Sequence, residues 1–367
     1  MLNKVNEIKK YLCIKFVERE ELIDALFISL VAKQNLLLIG PPGTAKSELI
    51  TQFANFIDGA NYFQWLLTRF STPEELFGPV SLSDLEQGIY KRNNDGKLPE
   101  ANIAFIDEIF KANSAILNSL LTLINERIFY NNGGIVHSPL ISLIGASNEY
   151  PEEENLSALY DRFLLRFELN YIQDDANFIS MLSGNTYELK KPDPLTLDEL
   201  YKLQFNAEVV MISKELIDII LQIRNALKDE GIFPSDRRFK KSLDLIKAKA
   251  ALDGRTVAEF EDLAILKHGL WDEAEQIETV TEIVNEYTVD KVLEFIKQVE
   301  KECKELWEFL QKEKSYDAGV EVTAKLKQNL AELEKLKNED PKYREEIENL
   351  IEKIKGAYSN VVETILS

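Results

Sequence analysis

Residues 36–57 constrain the fold of this chain more than any other stretch. Leu36-Leu37-Leu38-Ile39 is a short apolar run that reads as a buried strand, and Gly40-Pro41-Pro42-Gly43-Thr44-Ala45-Lys46-Ser47 follows at once. Beyond it Leu49, Ile50, Phe53, Ala54 and Ile57 recur at helical spacing, ending near Gly59. Strand, loop and helix in this order are the context of a phosphate-binding loop. Small residues let backbone N–H groups wrap a phosphate chain, and the helix N-terminus adds the positive end of its dipole. Lys46 then reaches the β- and γ-phosphates, and the Ser47 hydroxyl ligates Mg2+. The loop therefore predicts binding of a nucleoside triphosphate. Ala45 stands where the general pattern has its second glycine; a methyl group is tolerated there if φ is negative.

The rest of the first half alternates. Strands are expected at Tyr62–Leu67, Ile103–Ile106, Ile141–Ile144 and Leu164–Phe167. A helix over 113–126 separates two of them, with Ile116, Leu117, Leu120, Leu121 and Ile124 on one face. Such alternation predicts a mostly parallel sheet covered on both sides. Residues 1–34 read as helical, with a stripe of Leu22, Ile23, Leu26, Phe27 and Leu30. Two hairpins are expected to project. One runs through Gly88–Arg92 into Asn94-Asp95-Gly96; the other joins Ile128-Phe129-Tyr130 to Ile135-Val136 through Asn131-Asn132-Gly133-Gly134. Asn-Gly and Asp-Gly supply the positive φ that tight hairpins need.

Pro192 and Pro194 mark a boundary, after which 195–288 is helical with a break at 234–238. Three amphipathic helices follow, with loops near 314–319 and 338–340, and Asp340-Pro341 reads as an N-cap with proline at the first helical position. The third helix carries Tyr343, Ile347, Leu350, Ile354, Tyr358, Val361 and Ile365. The expected division is 1–191 for an α/β nucleotide-binding core, 192–288 for an all-α lid, and 289–367 for a three-helix bundle.

Charge and rare residues exclude other classes. With 63 acidic against 43 basic side chains, the net charge of -20 repels phosphate backbones, so no nucleic acid is expected as main partner. Cys13 and Cys303 stand far apart, as do His137 and His268, which removes support for a zinc site or a Ser-His-Asp arrangement. Sparse cysteine suits a reducing compartment. No apolar stretch is long enough for membrane insertion and no signal peptide is evident, so the cytoplasm is expected.

The chemistry gathers at strand ends. Phe105-Ile106-Asp107-Glu108 puts two acids at the end of a buried strand downstream of the phosphate loop. Asp107 is expected to hold Mg2+ and Glu108 to orient and polarise the attacking water. Asn148, in Gly145-Ala146-Ser147-Asn148-Glu149, is placed to position the same water. Arg162 is a candidate to complete a neighbouring subunit's site by stabilising charge on the γ-phosphoryl oxygens, with Arg166 the second choice. Arg237 or Arg238 leans on the nucleotide from the second domain, or forms a surface pair.

These segments together resemble AAA+ ATPases of the MoxR group, and within it the RavA (regulatory ATPase variant A) branch. The resemblance is carried by GPPGTAKS at 40–47, TRFSTPEELFGP at 68–79, FIDEIFKA at 105–112, ILNSLLTLINER at 116–127, ASNE at 146–149, ALYDRFLLR at 158–166 and SDRR at 235–238. Ala45 is usual in that group. The resemblance implies a five-stranded core of sheet order 5-1-4-3-2, a helical lid, and ATP bound between subunits of a ring, typically a hexamer. It implies Asn148 as sensor 1, Arg162 as arginine finger and Arg237 as sensor 2. The segments near 88–98 and 128–137 become the helix-2 insert and the pre-sensor-1 hairpin, facing the pore. It further implies remodelling of client proteins, often beside a partner with a von Willebrand factor A domain. The RavA pattern carries a β domain inserted in its helical bundle, and no segment between 288 and 367 fits one. Two other readings are an ATP-gated scaffold with slow hydrolysis and a DNA-dependent motor using Lys91, Arg92 and Lys97.

Glu108→Gln is expected to keep ATP bound while nearly abolishing turnover, because the phosphate cradle survives and the water-orienting charge is lost. Binding and steady-state hydrolysis measured on the same variant decide it; wild-type turnover removes Glu108 from the reaction.

Overall fold

Five short apolar runs build the central sheet, and their pairing order sets where the phosphate loop emerges. In the computed structural model, which describes residues 1–151, 154–183, 190–288, 291–313, 316–339, 343–344 and 347–356, the strands are β1 (Leu36–Ile39), β2 (Tyr62–Leu66), β3 (Ile103–Asp107), β4 (Ser142–Ser147) and β5 (Leu165–Glu168). They pair in the order β2-β3-β4-β1-β5, the expected 5-1-4-3-2 read from the other edge. Every neighbouring pair is parallel. The chain leaves β1 for the far edge of the sheet and later returns on both its sides. The crevice beyond the carboxyl end of β1 is thus the switch point at which open parallel sheets bind ligands.

Helices cover the sheet. The expected helical stretch over 1–34 is two helices, α1 (Leu2–Lys15) and α2 (Glu20–Val31). They are separated at Phe16–Arg19, where Glu18 takes φ +59°. After the loop comes α3 (Lys46–Ala54), and after β3 comes α4 (Ser114–Glu126). Asn113 caps α4, its side-chain oxygen accepting from the Ala115 and Ile116 N–H groups at 3.2 and 3.1 Å. The buried face of α4 is Ile116, Leu117, Leu120, Leu123 and Ile124, and Leu121 only flanks it. Next come α5 (Leu197–Glu208), α6 (Lys214–Asp229), α7 (Asp236–Leu252) and α8 (Gln276–Thr288). Two compact units divide the chain at 285/286. In the second unit α9 (Lys291–Glu313), α10 (Tyr316–Glu339) and the helical residues 347–356 share a core that includes Ile296, Val299, Leu326, Leu333, Ile347 and Ile354. Residues 316–319, expected in a loop, belong instead to the first turn of α10, which begins at Tyr316. The Asp340-Pro341 cap and the stripe residues Tyr358, Val361 and Ile365 lie outside the described residues. No helix among the described residues is long and apolar enough to cross a membrane.

Of the two projections, one matches its expectation. Ile128–Asn131 pairs antiparallel with Gly134–His137 across Asn132-Gly133, whose φ values of +53° and +69° are those of a tight primed turn. The other is not a β-hairpin. Only Val80 and Arg92 form a bridge, and the tip is a short helix, Leu82–Leu85, capped by Ser81. Ser81 offers an N-cap and Leu82-Ser83-Asp84-Leu85 has no β-branched residue, so the local preference is helical. Asn131 ties the two projections together: its side chain accepts from the Arg92 N–H at 2.8 Å and donates to the Arg92 carbonyl at 3.0 Å.

An ion cluster joins α2 to the helical segment Phe260–His268 within the first unit. Glu21 lies 2.6 Å from Lys267 and 3.2 Å from the ring of His268, which stacks on Phe167. The His268 contact, followed by Lys267, holds the Glu21 carboxyl down to about 2. A carboxyl depressed in the folded state stabilises above its ordinary value, and that contribution vanishes as pH falls through the folded value. The difference in thermal midpoint between wild type and Glu21→Gln is therefore expected to be full above pH about 4.5 and to shrink as pH falls toward about 2. Melting curves across that window test it; a difference independent of pH counts against the pair.

Candidate functional site

The phosphate loop leaves β1 at Gly40, a position closed to any side chain, since a Cβ there would lie 2.2 Å from the Leu169 carbonyl oxygen. Gly43 follows with φ +85°. Ala45, immediately before α3, has φ +60° and ψ +24°, which is left-handed. The condition of a negative φ is not met: the chain turns into the helix as a glycine would allow, and an alanine is carried there at a cost of about 1–2 kcal/mol. Lys46 is buried and donates to the Gly40 and Pro41 carbonyls and, at 3.1 Å, to Asn148 Oδ1. Burial lowers its pKa, opposed by Asp107 and Glu108.

The sequence-predicted acids meet this loop. Ser47 Oγ donates to Asp107 Oδ2 at 3.2 Å, so the two candidate Mg2+ ligands are already neighbours. Both are hard oxygen donors, which suits an ion that completes its octahedron with phosphate and water. Glu108 takes φ +53°, which swings its carboxylate off the line of β3. Asn148 donates its amide to Glu108 Oε1, and Lys111 pairs with Glu108 Oε2 at 3.1 Å. Lys46, Asn148 and Glu108 thus form one chain of contacts at the carboxyl ends of β3 and β4. Lys111 has no part in the sequence reading; its spacing of three from Glu108 was the available signal.

A second feature escaped the sequence altogether. A cavity of about 360 Å³ beside Gly43, Thr44 and Ala45 is walled by Phe16, Val17, Tyr171, Ile172, Phe178 and Met181. Phe16 and Val17 belong to the break between α1 and α2. Glu18 latches that break to the opposite wall by accepting from the Gln173 and Asp174 N–H groups, both at 2.9 Å. Tyr171 closes on the loop, donating to the Pro42 carbonyl at 3.2 Å. Flat apolar walls next to a phosphate cradle suit a heterocyclic base.

The four arginines separate into two kinds. Arg166 is fully buried, donating to the Trp271 carbonyl at 2.6 Å and Asp272 at 2.7 Å, with its guanidinium 3.7 Å from the Tyr160 ring centre. Arg238 is also buried, donating to the Gly269 and Leu164 carbonyls. Both anchor the helical part of the first unit to β5. Arg162 and Arg237 reach solvent and, with the buried Arg238, line a cleft of about 420 Å³ that also includes Gln34, Asn35, Asn125, Asp161 and Lys241. Arg162 pairs with Asp161 at 2.9 Å, and Arg237 donates to Asn125 at 2.9 Å. Asn35, just ahead of β1, donates to the Arg162 carbonyl. This cleft therefore lies at the amino edge of the sheet and the phosphate loop at the carboxyl edge, with the four residues of β1 between them, about 13 Å. Arg237 does not lean on its own subunit's phosphate loop, because α7 presents it at the opposite edge.

Comparisons with known proteins agree on the family. The family model described as the MoxR domain in the MoxR-vWA-beta-propeller ternary systems matches residues 3–204, and an AAA lid domain matches 215–284. An uncharacterized protein of Methanocaldococcus jannaschii is 40% identical over 378 residues, spanning all of this chain and 99% of its own length. Chaperone MoxR1 of Mycobacterium tuberculosis is 24% identical over 213 residues, 56% of this chain and 55% of that protein. The crystal structure of a proposed ATPase from Cytophaga hutchinsonii superposes with a TM-score of 0.62 at 20% identity, covering 77% of this chain and 95% of that one. None of these singles out the RavA branch.

Ala45→Gly is expected to raise stability by about 0.5–1 kcal/mol, the left-handed strain relieved less the extra freedom glycine has when unfolded. Urea midpoints of the two proteins measure it; a destabilised glycine variant contradicts the strain.

Proposed function

The chain belongs to the MoxR group of AAA+ ATPases, and we propose that it hydrolyses ATP at sites completed between subunits of a ring, remodelling a client protein as it does so. One observation carries the reading: Arg162 and Arg237 stand together at the sheet edge opposite the phosphate loop. Cations so placed serve a neighbour's nucleotide, and a closed ring, a hexamer in this reading, gives every loop such a neighbour.

ATP lies with its phosphates on residues 40–47 and its base against Phe16, Val17 and Tyr171. Ser47 and Asp107 would hold Mg2+, which would supply positive charge beside the terminal phosphates. Lys46 reaches the same phosphates from the cradle. Glu108, oriented by Asn148, polarises a water whose oxygen attacks Pγ. As that bond forms, the bond from Pγ to the β,γ-bridging oxygen breaks and its electron pair leaves on ADP. The proton of the water passes to the Glu108 carboxylate and from there to solvent. Negative charge on the transferred oxygens is met by Arg162 and Arg237 of the adjacent subunit, an effect of about 10³–10⁵ in rate for such arginines.

In this reading residues 1–191 are the core, 192–288 the lid and 289–367 a bundle that recruits. The tied projections, which expose Leu82, Leu85, Tyr130 and Ile135, meet the client. The matched family model is named for MoxR-vWA systems, which supports a von Willebrand factor A-domain partner. Sparse cysteine fits a cytoplasmic setting. The DNA-motor reading loses ground because two of its cations are engaged: Arg92 with Glu74 and the Gly78 carbonyl, Lys97 with the Glu75 carbonyl. The slow scaffold reading is disfavoured by a complete set of hydrolytic residues.

Mixing Arg162→Ala with Glu108→Gln subunits tests the shared site. Each is expected to be inactive alone, and mixed rings to recover part of the wild-type rate, since some interfaces pair an intact Glu108 with an intact Arg162. Assembly is checked by light scattering; confirmed mixed rings without recovery at any ratio defeat the shared-site reading.

A further inference from the structure

The cleft at the amino edge of the sheet gathers more positive charge than two arginines. Lys33, Arg127, Lys241 and Lys247 line it as well, in a chain whose net charge is -20. Most of these cations are already engaged. Lys33 pairs with Glu208 at 2.9 Å. Arg127 is consumed as a bracket, donating to the Ile124, Lys33 and Ile141 carbonyls. Lys247 donates to the Glu208 carbonyl. Lys241 is different: its ammonium donates to the neutral Gln34 Oε1 at 3.3 Å, and among the described residues no carboxylate lies within ion-pair distance of it.

Its position matters as much as its freedom. Lys241 follows Arg237 by four residues on α7, so both project from one face of the helix. Gln34 holds it from the other side, and the same amide donates to Asp244 at 3.2 Å, which keeps that carboxylate bonded to the glutamine. Burial lowers the pKa of Lys241; Asp244 opposes this, and Arg237, Arg127 and Arg162 add repulsion. Arg162 Nε and Arg238 Nη1, in the same cleft, are buried without a hydrogen-bond partner, although Arg238 Nη1 lies 3.8 Å from both Asp161 and Asp272. Asp161 alone is shared among Arg162, Arg237 and Arg238, and the cations lining the cleft outnumber its carboxylates, a balance that an anion completes.

We propose that Lys241 is a third cation that each subunit delivers to the γ-phosphoryl group of the ATP bound by its neighbour. The inference rests on the shared-site reading and adds a residue to it. A lysine serves as a compact point charge, suited to spread charge on a terminal phosphate rather than to grip it in a fork. Bond making and breaking are those already given; Lys241 touches the transferred oxygens and neither gains nor loses a proton. It cannot serve its own nucleotide, because Gln34 fixes it ahead of β1 whereas the phosphate loop follows β1.

The test compares Lys241→Met, which keeps the apolar stem, with Lys241→Arg, which keeps the charge. In the full-length ring, Lys241→Met is expected to lower kcat for ATP about tenfold or more with KM changed less than about threefold, and Lys241→Arg to retain most of the rate. Lys241→Met subunits mixed with Lys46→Ala subunits should regain turnover, since the latter supply intact clefts to intact loops. Wild-type kcat in Lys241→Met rings overturns the proposal, as does an equal loss in both variants. A loss that Lys46→Ala subunits do not restore, although they restore Arg162→Ala, places Lys241 in its own subunit's site and likewise overturns it. If they restore neither, the shared-site reading has failed and this inference falls with it. Should Lys241→Met not assemble, Lys241→Gln, which can still bond Gln34, is read by the same criteria.

Discussion

Because the five central strands run parallel, all their carboxyl ends share one edge of the sheet and all their amino ends the other. Everything else in the molecule depends on that polarity. Asp107, Asn148 and the phosphate loop all follow strand ends, so their convergence requires no special device beyond the sheet itself. By the same rule residues that precede strands gather at the opposite edge. Gln34 and Asn35 lead into β1, and they hold the cleft of Arg162, Arg237 and Lys241. A short β1 keeps the two edges apart by a rigid spacer, so the phosphate loop and the arginine cleft open on opposite sides of the sheet.

Holding the cleft open falls to a group of buried charges. Arg166 and Arg238 are both withdrawn from water, and Arg166 and Asp272 are 2.7 Å apart. Burial drives the Arg238 pKa down to about 10, with Arg166 adding repulsion and Asp272 and Asp161 opposing it. Ion pairs of this kind stabilise little in net terms, because desolvation offsets the attraction. Their effect here is geometric. By tying α7 and the Trp271 turn to the start of β5, they present Arg237 and Lys241 at a fixed distance from Arg162. The adjacent arginines at 237 and 238 thereby divide the work, one inside as an anchor and one outside as a contact.

Much of the candidate site was legible because its residues are contiguous or tied to strand ends by pattern. GPPGTAKS, the Asp107-Glu108 pair and Asn148 could be placed from periodicity and turn chemistry, and so could the Asn132-Gly133 hairpin. The projection through 88–96 was misread as a hairpin because a turn signal at Asp95-Gly96 says where a chain reverses, not whether the arms are strands. Ala45 was misjudged because a motif gives residue types, whereas φ depends on how the loop meets α3. The choice between Arg162 and Arg166, or Arg237 and Arg238, was open in sequence, since neighbours in the chain differ in burial only after packing.

The sequence by itself determined the local chemistry: which loop carries a phosphate-binding pattern, which acids end a strand, which segments are helices. These follow from the side-chain pattern within a few turns of chain, where sterics and hydrogen bonding act at short range. Only the tertiary structure decided which side chains share a space. The apolar cavity beside the loop joins residues 16–19 to 171–181, and the cationic cleft joins 33–35, 125–127, 162 and 237–241. No spacing along the chain encodes those meetings. They arise because apolar faces must bury against one another, and the single packing that buries them carries the polar groups to where they act.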